Sequence, residues 1–325
     1  MIAFLLRRVV QAAIVLFVMS LVIFAGIFVI GNPIDVLMNP AASHALIQRT
    51  VEKFGLDQPL WRQYLDFLGN LLQGDLGRSY VFDEPAIRLI LSRLPATLEL
   101  ALTASVIALG LGIPLGMWAG WRPDSASARL IMGGSILGFS LPSFWVGLML
   151  ILVFSVELGW LPSGGRGATA VIFGVRLSIL TGDGLAHLLL PALNLALFKL
   201  SLITRLTRAG MREVLPMDFV RFARAKGLSE RRVLFVHVLK NIMLPIVTVL
   251  GLELGSVIAF AVVTETIFDW PGMGKLIIDS IGLLDRPVIV AYLLVIVTMF
   301  LVINLVVDVI YSLLDPRVRL AEDGA

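Results

Sequence analysis

Six stretches of 20 or more residues, nearly uncharged and mostly apolar, divide this chain, and they remove most folds from consideration. They run from Val9 to Ile30, Thr97 to Trp121, Leu130 to Val156, Leu185 to Thr204, Leu244 to Thr264 and Val288 to Tyr311. An apolar helix needs about 20 residues to cross the hydrocarbon core of a bilayer. Inside lipid every backbone N–H and C=O must be satisfied within the segment, so each stretch is expected to be a helix. With 58% hydrophobic and 15% charged residues and a mean hydropathy of +0.95, the chain is too apolar for a water-soluble domain of 325 residues. The expected fold class is an all-α membrane protein with six transmembrane helices. The first stretch exceeds a secretory h-region in length, and no small-x-small site closes it before Asn32-Pro33, so it reads as a span and not as a cleaved leader. The sequence contains no cysteine, which excludes disulfides and thiolate metal sites.

Charge placement sets the expected topology. Arg7 and Arg8 precede the first span, Arg122 and Arg129 lie between the second and third, and Arg317 and Arg319 follow the last. Residues 205–240 hold nine Lys and Arg against three acids, whereas residues 31–95 hold six basic and seven acidic residues. Basic short loops stay cytoplasmic, so both termini are expected in the cytoplasm. The chain then divides into residues 1–30 (amino-terminal end and first span), an extracytoplasmic segment at 31–96, and a five-span core at 97–325 with a cytoplasmic loop at 205–244. In the outer segment Trp61, Tyr64, Phe67 and Leu68 share one helical face, which suits either a cap packed on the membrane domain or a contact for a soluble partner.

Within the spans, Gly112, Gly116 and Gly120 form an i, i+4, i+8 row that lets another helix approach closely, and Gly134/Gly138 and Gly251/Gly255 repeat the spacing. Pro142 in GFSLPSF is expected to kink the third span. Ser140 and Ser143 beside it either line an aqueous path or satisfy the freed carbonyls. Ionisable groups in the bilayer are expensive and mark candidate functional positions. Lys199 and Glu253 both fall in the inner half, where they pair or where Lys199 snorkels to the cytoplasm. Glu265, near the outer end of the fifth span, joins them as a candidate gating residue, while Asp308 reads as interfacial.

The basic stretch DFVRFARAKGLSERRVLFVHVLKNIMLP (218–245) carries more than topology. Asp218 suits an N-cap, 219–226 two helical turns, Gly227 the position past a helix end, Ser229 a second cap and Pro245 the first turn of the next span. Phe219, Phe222 and Ala223 share one face of the short helix, and Arg221 and Arg224 another. Such an element plugs into something. ARAKGLSERRV has the Gly and Ser spacing of a helix-turn-helix, but pinned between two spans it lacks a third helix, so no nucleic acid is expected.

The stretch resembles the EAA loop of binding-protein-dependent ABC importer permeases, in the dipeptide, oligopeptide and nickel branch, where an ARAKGL core is typical. FGLDQPLWRQY (54–64), GDLGRSY (74–80), RLPATLEL (93–100), SLPSFWVGL (140–148), GWLPSGGRG (159–167), HLLLPAL (187–193), ETIFDWPGMG (265–274) and DPR (315–317) extend the resemblance over nearly the whole chain, and specifically to the first of the two permeases. Arg221 and Phe222 replace the Glu and first Ala of the general EAA pattern, and GNP (31–33) stands where PGDP is usual. The resemblance implies a type I importer permease in a bacterial inner membrane. The implied partners are a second homologous permease, two ATPase subunits and a solute-binding protein. It implies that Arg221, Phe222, Ala223, Arg224, Ala225, Lys226, Gly227, Leu228, Arg231 and Arg232 couple to an ATPase cleft, and that peptide is the cargo, with nickel or glutathione as alternatives.

No cofactor is expected on this chain, ATP and magnesium belonging to the partner subunits. The nearest approach to a P-loop, Gly274-Lys275, has Asp269 and Leu276 where Gly and Ser or Thr are required. There is no HExxH, and His44, His187 and His237 are scattered; a Ser140–His187 dyad is left open by the sequence. The remaining alternative is an ion-gradient-driven secondary transporter, for which no inverted repeat is found.

Overall fold

The computed structural model describes the backbone of residues 2–29 and 58–314 and, within these, all side chains except 2–6, 27–29, 244, 248, 250–259 and 308–314. The GNP at 31–33, His44, the start of FGLDQPLWRQY, the closing DPR with Arg317 and Arg319, and the side chains of Glu253 and Asp308 lie outside the described residues. Helices dominate: α1 (Ile2–Val29), α2 (Leu60–Leu72), α3 (Ala86–Trp121), α4 (Ala126–Ser140), α5 (Ser143–Glu157), α6 (Gly182–Val214), α7 (Asp218–Ala225), α8 (Leu239–Ile267), α9 (Met273–Gly282) and α10 (Arg286–Leu314). One hairpin, β1 (Ala170–Ile172) with β2 (Val175–Leu177), lies between α5 and α6. Among the described residues, helices within 7–26, 86–121, 182–214 and 286–307 are long and apolar enough to span a membrane, and the bent pair α4 and α5, taken as one broken span, is a fifth by length and composition. The fifth expected span, at 244–264, falls within α8, which is 29 residues long.

The chain forms two compact units. One comprises residues 1–94 and 272–306. Here the expected face of α2 meets α1: Phe24 lies 5.2 Å from the Tyr64 ring and 5.8 Å from Phe67, and Ser20 and Tyr64 share a 2.9 Å hydrogen bond. Trp61, on the same face, is exposed. The GDLGRSY segment is fastened to the turn before α10, because the buried Asp285 carboxylate accepts from the Ser79 hydroxyl and, at 3.1 Å, from the Tyr80 amide.

The other unit comprises residues 95–271 and 307–325. Its packing follows from the glycine row. A Cβ on Gly116 would stand 2.5 Å from the Thr207 Cβ and 2.6 Å from the Thr204 carbonyl, and one on Gly112 would stand 2.9 Å from the Ile203 side chain. Gly120 meets Met211 in the same way, so α3 and α6 run parallel in close contact. Gly138 is likewise closed against the Ser201 hydroxyl, at 2.7 Å from a Cβ, whereas its expected partner Gly134 faces open space. Helix α8 runs antiparallel to α6, with Ile242 beside Gly210 at one end and Thr264 beside Asn194 at the other.

Two expectations about proline change. Pro142 does not merely kink the third span; it caps α5 in an extended conformation, and α4 and α5 meet at 110°. The pair nonetheless crosses the unit. Trp118 donates to Ser127 at its start, and after its end Gly165 donates to the Phe268 carbonyl at the opposite end of α8. Pro245 does not open the fifth span either. Glu230–Arg232, a π-helical Val233–Val238 and α8 follow one another without a break, so Pro245 lies inside the helix.

Gly116→Ala should push α3 from α6 and destabilise the protein by about 1–3 kcal/mol. Gly133→Ala, where nothing lies within 4 Å, should not. Thermal unfolding in detergent checks this; equal effects would mean that the close approach is not what holds the unit together.

Candidate functional site

At the basic end of the second unit, α7 is a two-sided element. Val220 is wholly buried and Ala223 is 5% exposed; both join Met211, Val214, Val233, Leu234, Val238, Ile242 and Ile246 in one apolar cluster. Phe219 and Phe222 point the other way, at 39% and 61% exposure. The expected apolar face is thus divided: Ala223 packs inward beside Val220, a residue that the Phe219/Phe222/Ala223 pattern omits, and both phenylalanines face out. Arg221, Arg224, Ala225, Lys226, Arg231 and Arg232 are exposed, with the Lys226 ammonium 4.6 Å from the Phe222 ring.

The turn after α7 is a Schellman motif. Gly227 has φ +76°, its amide donates to the Arg224 carbonyl at 2.9 Å, and the Leu228 amide donates to Ala223 at 3.4 Å. A side chain at 227 would meet open space, so the glycine is required by its left-handed backbone and not by tight clearance. Arg224 and Glu230 bridge the turn with bonds of 2.8 and 3.3 Å. Asp218 is not the N-cap: Met217 occupies that position, and Asp218 sits in the first turn, 3.6 Å from Arg221. Ser229 takes the cap position of the next helix without a side-chain bond.

The second feature is a cavity of about 380 Å³ at the break between α4 and α5. Ser140, Pro142, Ser143 and Lys199 all line it, together with Asn194, Phe198, Phe260 and Thr264. Ser140 also donates to the Ile136 carbonyl at 2.9 Å, so the hydroxyl satisfies the backbone while standing at the wall. Lys199 is 5% exposed and therefore does not snorkel; whether it pairs with Glu253 falls outside the described residues. Asn194 is missing from the sequence-derived candidates. It is 4% exposed, donates to Thr264 at 3.0 Å, and leaves its Oδ1 buried without a partner. A buried acceptor on a cavity wall is a place for a hydrogen-bond donor to land. Asparagine in an apolar helix gives no periodic signal, so only the fold reveals it.

Glu265 does not line the cavity. It is fully buried at the far end of the unit, where Thr97 donates to it at 2.6 Å. Beside it stands a second group that sequence reading missed. Buried Glu99 and half-buried Arg166 pair at 2.7 Å; Glu99 also accepts from the Ser178 and Ile179 amides, and Arg166 donates to the Arg176 carbonyl at 2.6 Å. Trp270 lies 5.6 Å from the Arg166 guanidinium and donates to the Ala96 carbonyl at 3.0 Å. RLPATLEL, GWLPSGGRG and ETIFDWPGMG, distant in sequence, therefore close on one polar knot. His187 bonds within its own helix turn, to Asp183, and does not line the cavity with Ser140, which leaves no dyad.

Residues 112–320 match the model of the binding-protein-dependent transport system inner membrane component, and residues 1–101 match the amino-terminal model of the same component. The chain is 41% identical over 333 residues to the di/tripeptide transport system permease protein DppB of Pseudomonas aeruginosa, covering 98% of this chain and 99% of the relative. It is 43% identical to the oligopeptide transport system permease protein AppB of Bacillus subtilis, covering 89% and 90%. It is 38% identical to the glutathione transport system permease protein GsiC of Escherichia coli, covering 98% and 99%. Among solved structures, a chain of the MetNI methionine ABC transporter in inward-facing form superposes with a TM-score of 0.54 at 16% identity, covering 70% of this chain and 96% of that one; it shares the fold.

Glu99→Ala should leave the half-buried Arg166 charge without its partner and cost about 3 kcal/mol, whereas Glu99→Met with Arg166→Leu should recover most of that loss. Thermal unfolding of the two variants decides it; a double variant as unstable as the single one would contradict the reading of the pair as a closed electrostatic unit.

Proposed function

The chain belongs to the family of binding-protein-dependent transport system inner membrane components, a membrane permease subunit of an ABC transporter with no ATPase site of its own, and from that premise we propose that it carries short peptides inward, driven by separate ATPase subunits through α7. The cytoplasmic membrane of a bacterium, with both termini inside, is the setting this reading requires. A solute-binding protein delivers the peptide to the outer face, and a second, homologous permease completes the path. The three relatives are named for di- and tripeptides, oligopeptides and glutathione, itself a tripeptide, which supports a peptide cargo over nickel.

The observation that carries the coupling role is the division of α7 into a face buried in its own unit and a face left outside. Val220 and Ala223 tie the helix to α6 and α8, so a push on α7 moves those helices with it. Phe219 and Phe222 are free to enter a cleft, with Arg221 and Lys226 at its rim. The cavity at the Pro142 break, with Asn194 and Lys199 on its wall, forms part of the route in this reading. Asn194 would accept a peptide N–H there.

Phe219→Ala with Phe222→Ala should leave the thermal stability of the permease within about 0.5 kcal/mol, as exposed positions do. Retention of the ATPase subunits should fall about 10- to 100-fold, the loss expected of buried aromatic anchors at an interface. Co-purification from membranes measures it, and undiminished retention would refute the docking role. In proteoliposomes holding the whole transporter, peptide uptake should stop on ATP depletion and continue when the proton gradient is collapsed; the reverse result would indicate a secondary transporter.

A further inference from the structure

The segment between Glu157, where the broken span ends, and Gly182, where α6 begins, presents an apolar surface to its surroundings. Trp160 is 69% exposed, Val171 62% and Phe173 101%. Residues 158–181 contain no Asp or Glu and two arginines. Arg166 is bound to Glu99, which leaves Arg176 as the exposed cation.

The hairpin at its centre breaks a local rule. Ala170 pairs with Leu177, Val171 with Arg176 and Ile172 with Val175, so Phe173 and Gly174 form a two-residue turn with φ +49° and +79°. Turns of this kind favour Asn-Gly, because both residues must take a left-handed conformation that a bulky side chain resists. Here the strained position holds a phenylalanine that touches nothing in its own chain. The base beneath it is rigid: Arg166 donates to the Arg176 carbonyl, Glu99 accepts from the Ser178 and Ile179 amides, and Thr181 donates to the Ala168 carbonyl at 2.6 Å. A stiff base holding out a strained, solvated aromatic tip implies that the compensation lies outside the chain.

We propose that the hairpin Ala170–Leu177 is a membrane anchor, its tip residues Phe173, Val171 and Ile172 dipping into the boundary between headgroups and acyl chains while Arg176 engages lipid phosphate. Three features select lipid. The segment leaves one membrane-crossing element and enters the next, so it starts at the bilayer surface. Trp160, packed 6.1 Å from Phe154 at the end of α5, is the side chain that prefers that level. One hairpin face is apolar, Ile172 opposite Val175, and the other sets Val171 beside Arg176, a single cation with no acid, the composition of an interfacial anchor facing anionic headgroups. This goes beyond the transport reading and rests only on the flanking helices crossing the membrane.

Because the chain has no cysteine, Phe173→Cys and, separately, Val171→Cys can each carry a single bimane label on the permease, in a transporter assembled with partner subunits cleared of reactive cysteine. The complex is placed in nanodiscs of phosphatidylethanolamine and phosphatidylglycerol, with ordinary or brominated acyl chains. Emission at both positions should fall by about half with brominated chains, without any binding protein, as for a side chain at the acyl boundary. The same label at Asp124→Cys should be unaffected. Arg176→Glu should reduce the quenching at position 173. Labels that stay open to aqueous iodide and ignore brominated lipid would overturn the proposal. So would labels shielded only when the solute-binding protein is added, which would make the hairpin a docking surface for that protein. Uptake that persists while these labels remain wet, or that fails while they lie in lipid, separates this inference from the transport reading.

Discussion

The apolar cluster at the basic end of the second unit is the contact on which the functional account depends. Val220, Val233 and Val238 are fully buried there, and residues from α3, α6, α7 and α8 share the same core. Burying a valine contributes about 1.5 kcal/mol or more. The half-exposed Arg224–Glu230 pair across the turn contributes about 0.2–1 kcal/mol. Burial therefore fixes α7 to the helices, and the charges refine the turn. A short helix joined to the membrane only by loops could bind a partner but could not transmit a displacement; a helix that shares a core with α6 and α8 can.

The rest of the second unit extends that rigidity. Closing glycines let α3 lie against α6, and α6 and α8 run antiparallel from the basic end to the Glu99–Arg166 knot. The exception is the break at Pro142, where two helices meet at 110° and a cavity opens. In the proposed transport cycle that break is the place in the unit where helices change their relation. It is also where Asn194 holds an unmatched acceptor. The permissive site and the polar site coincide.

Much of this was legible in the sequence because lipid imposes a simple code. Spans, basic loop and glycine row are written as composition and spacing, and the row at 112, 116 and 120 packs as its periodicity requires. Gly227 was legible too, since a helix end needs a left-handed residue. What failed was one-sided reasoning at helix ends and breaks. Phe219, Phe222 and Ala223 share a face by spacing, yet only knowledge of where the flanking helices lie shows that Val220 is the buried anchor and that the phenylalanines face out. Asp218 lost the cap to Met217 because the chain begins the helix one residue early. Pro142 produced a break, where an extended Leu141–Pro142 ends α4, and Pro245 did not, since it lies inside a continuous α8. Glu99 and Arg166 were invisible because their partners lie 67 positions apart.

The central claim is that the outer face of α7 sits in an ATPase subunit, and cross-linking tests it most directly. A photoreactive side chain at position 222 of the assembled transporter should form an adduct with an ATPase subunit, in a yield that changes when ATP is bound. The same group at Arg212, exposed on α6 outside this face, should give little. Adducts from position 222 that contain only lipid or the permease itself, in a complex with both ATPases present, would contradict the account.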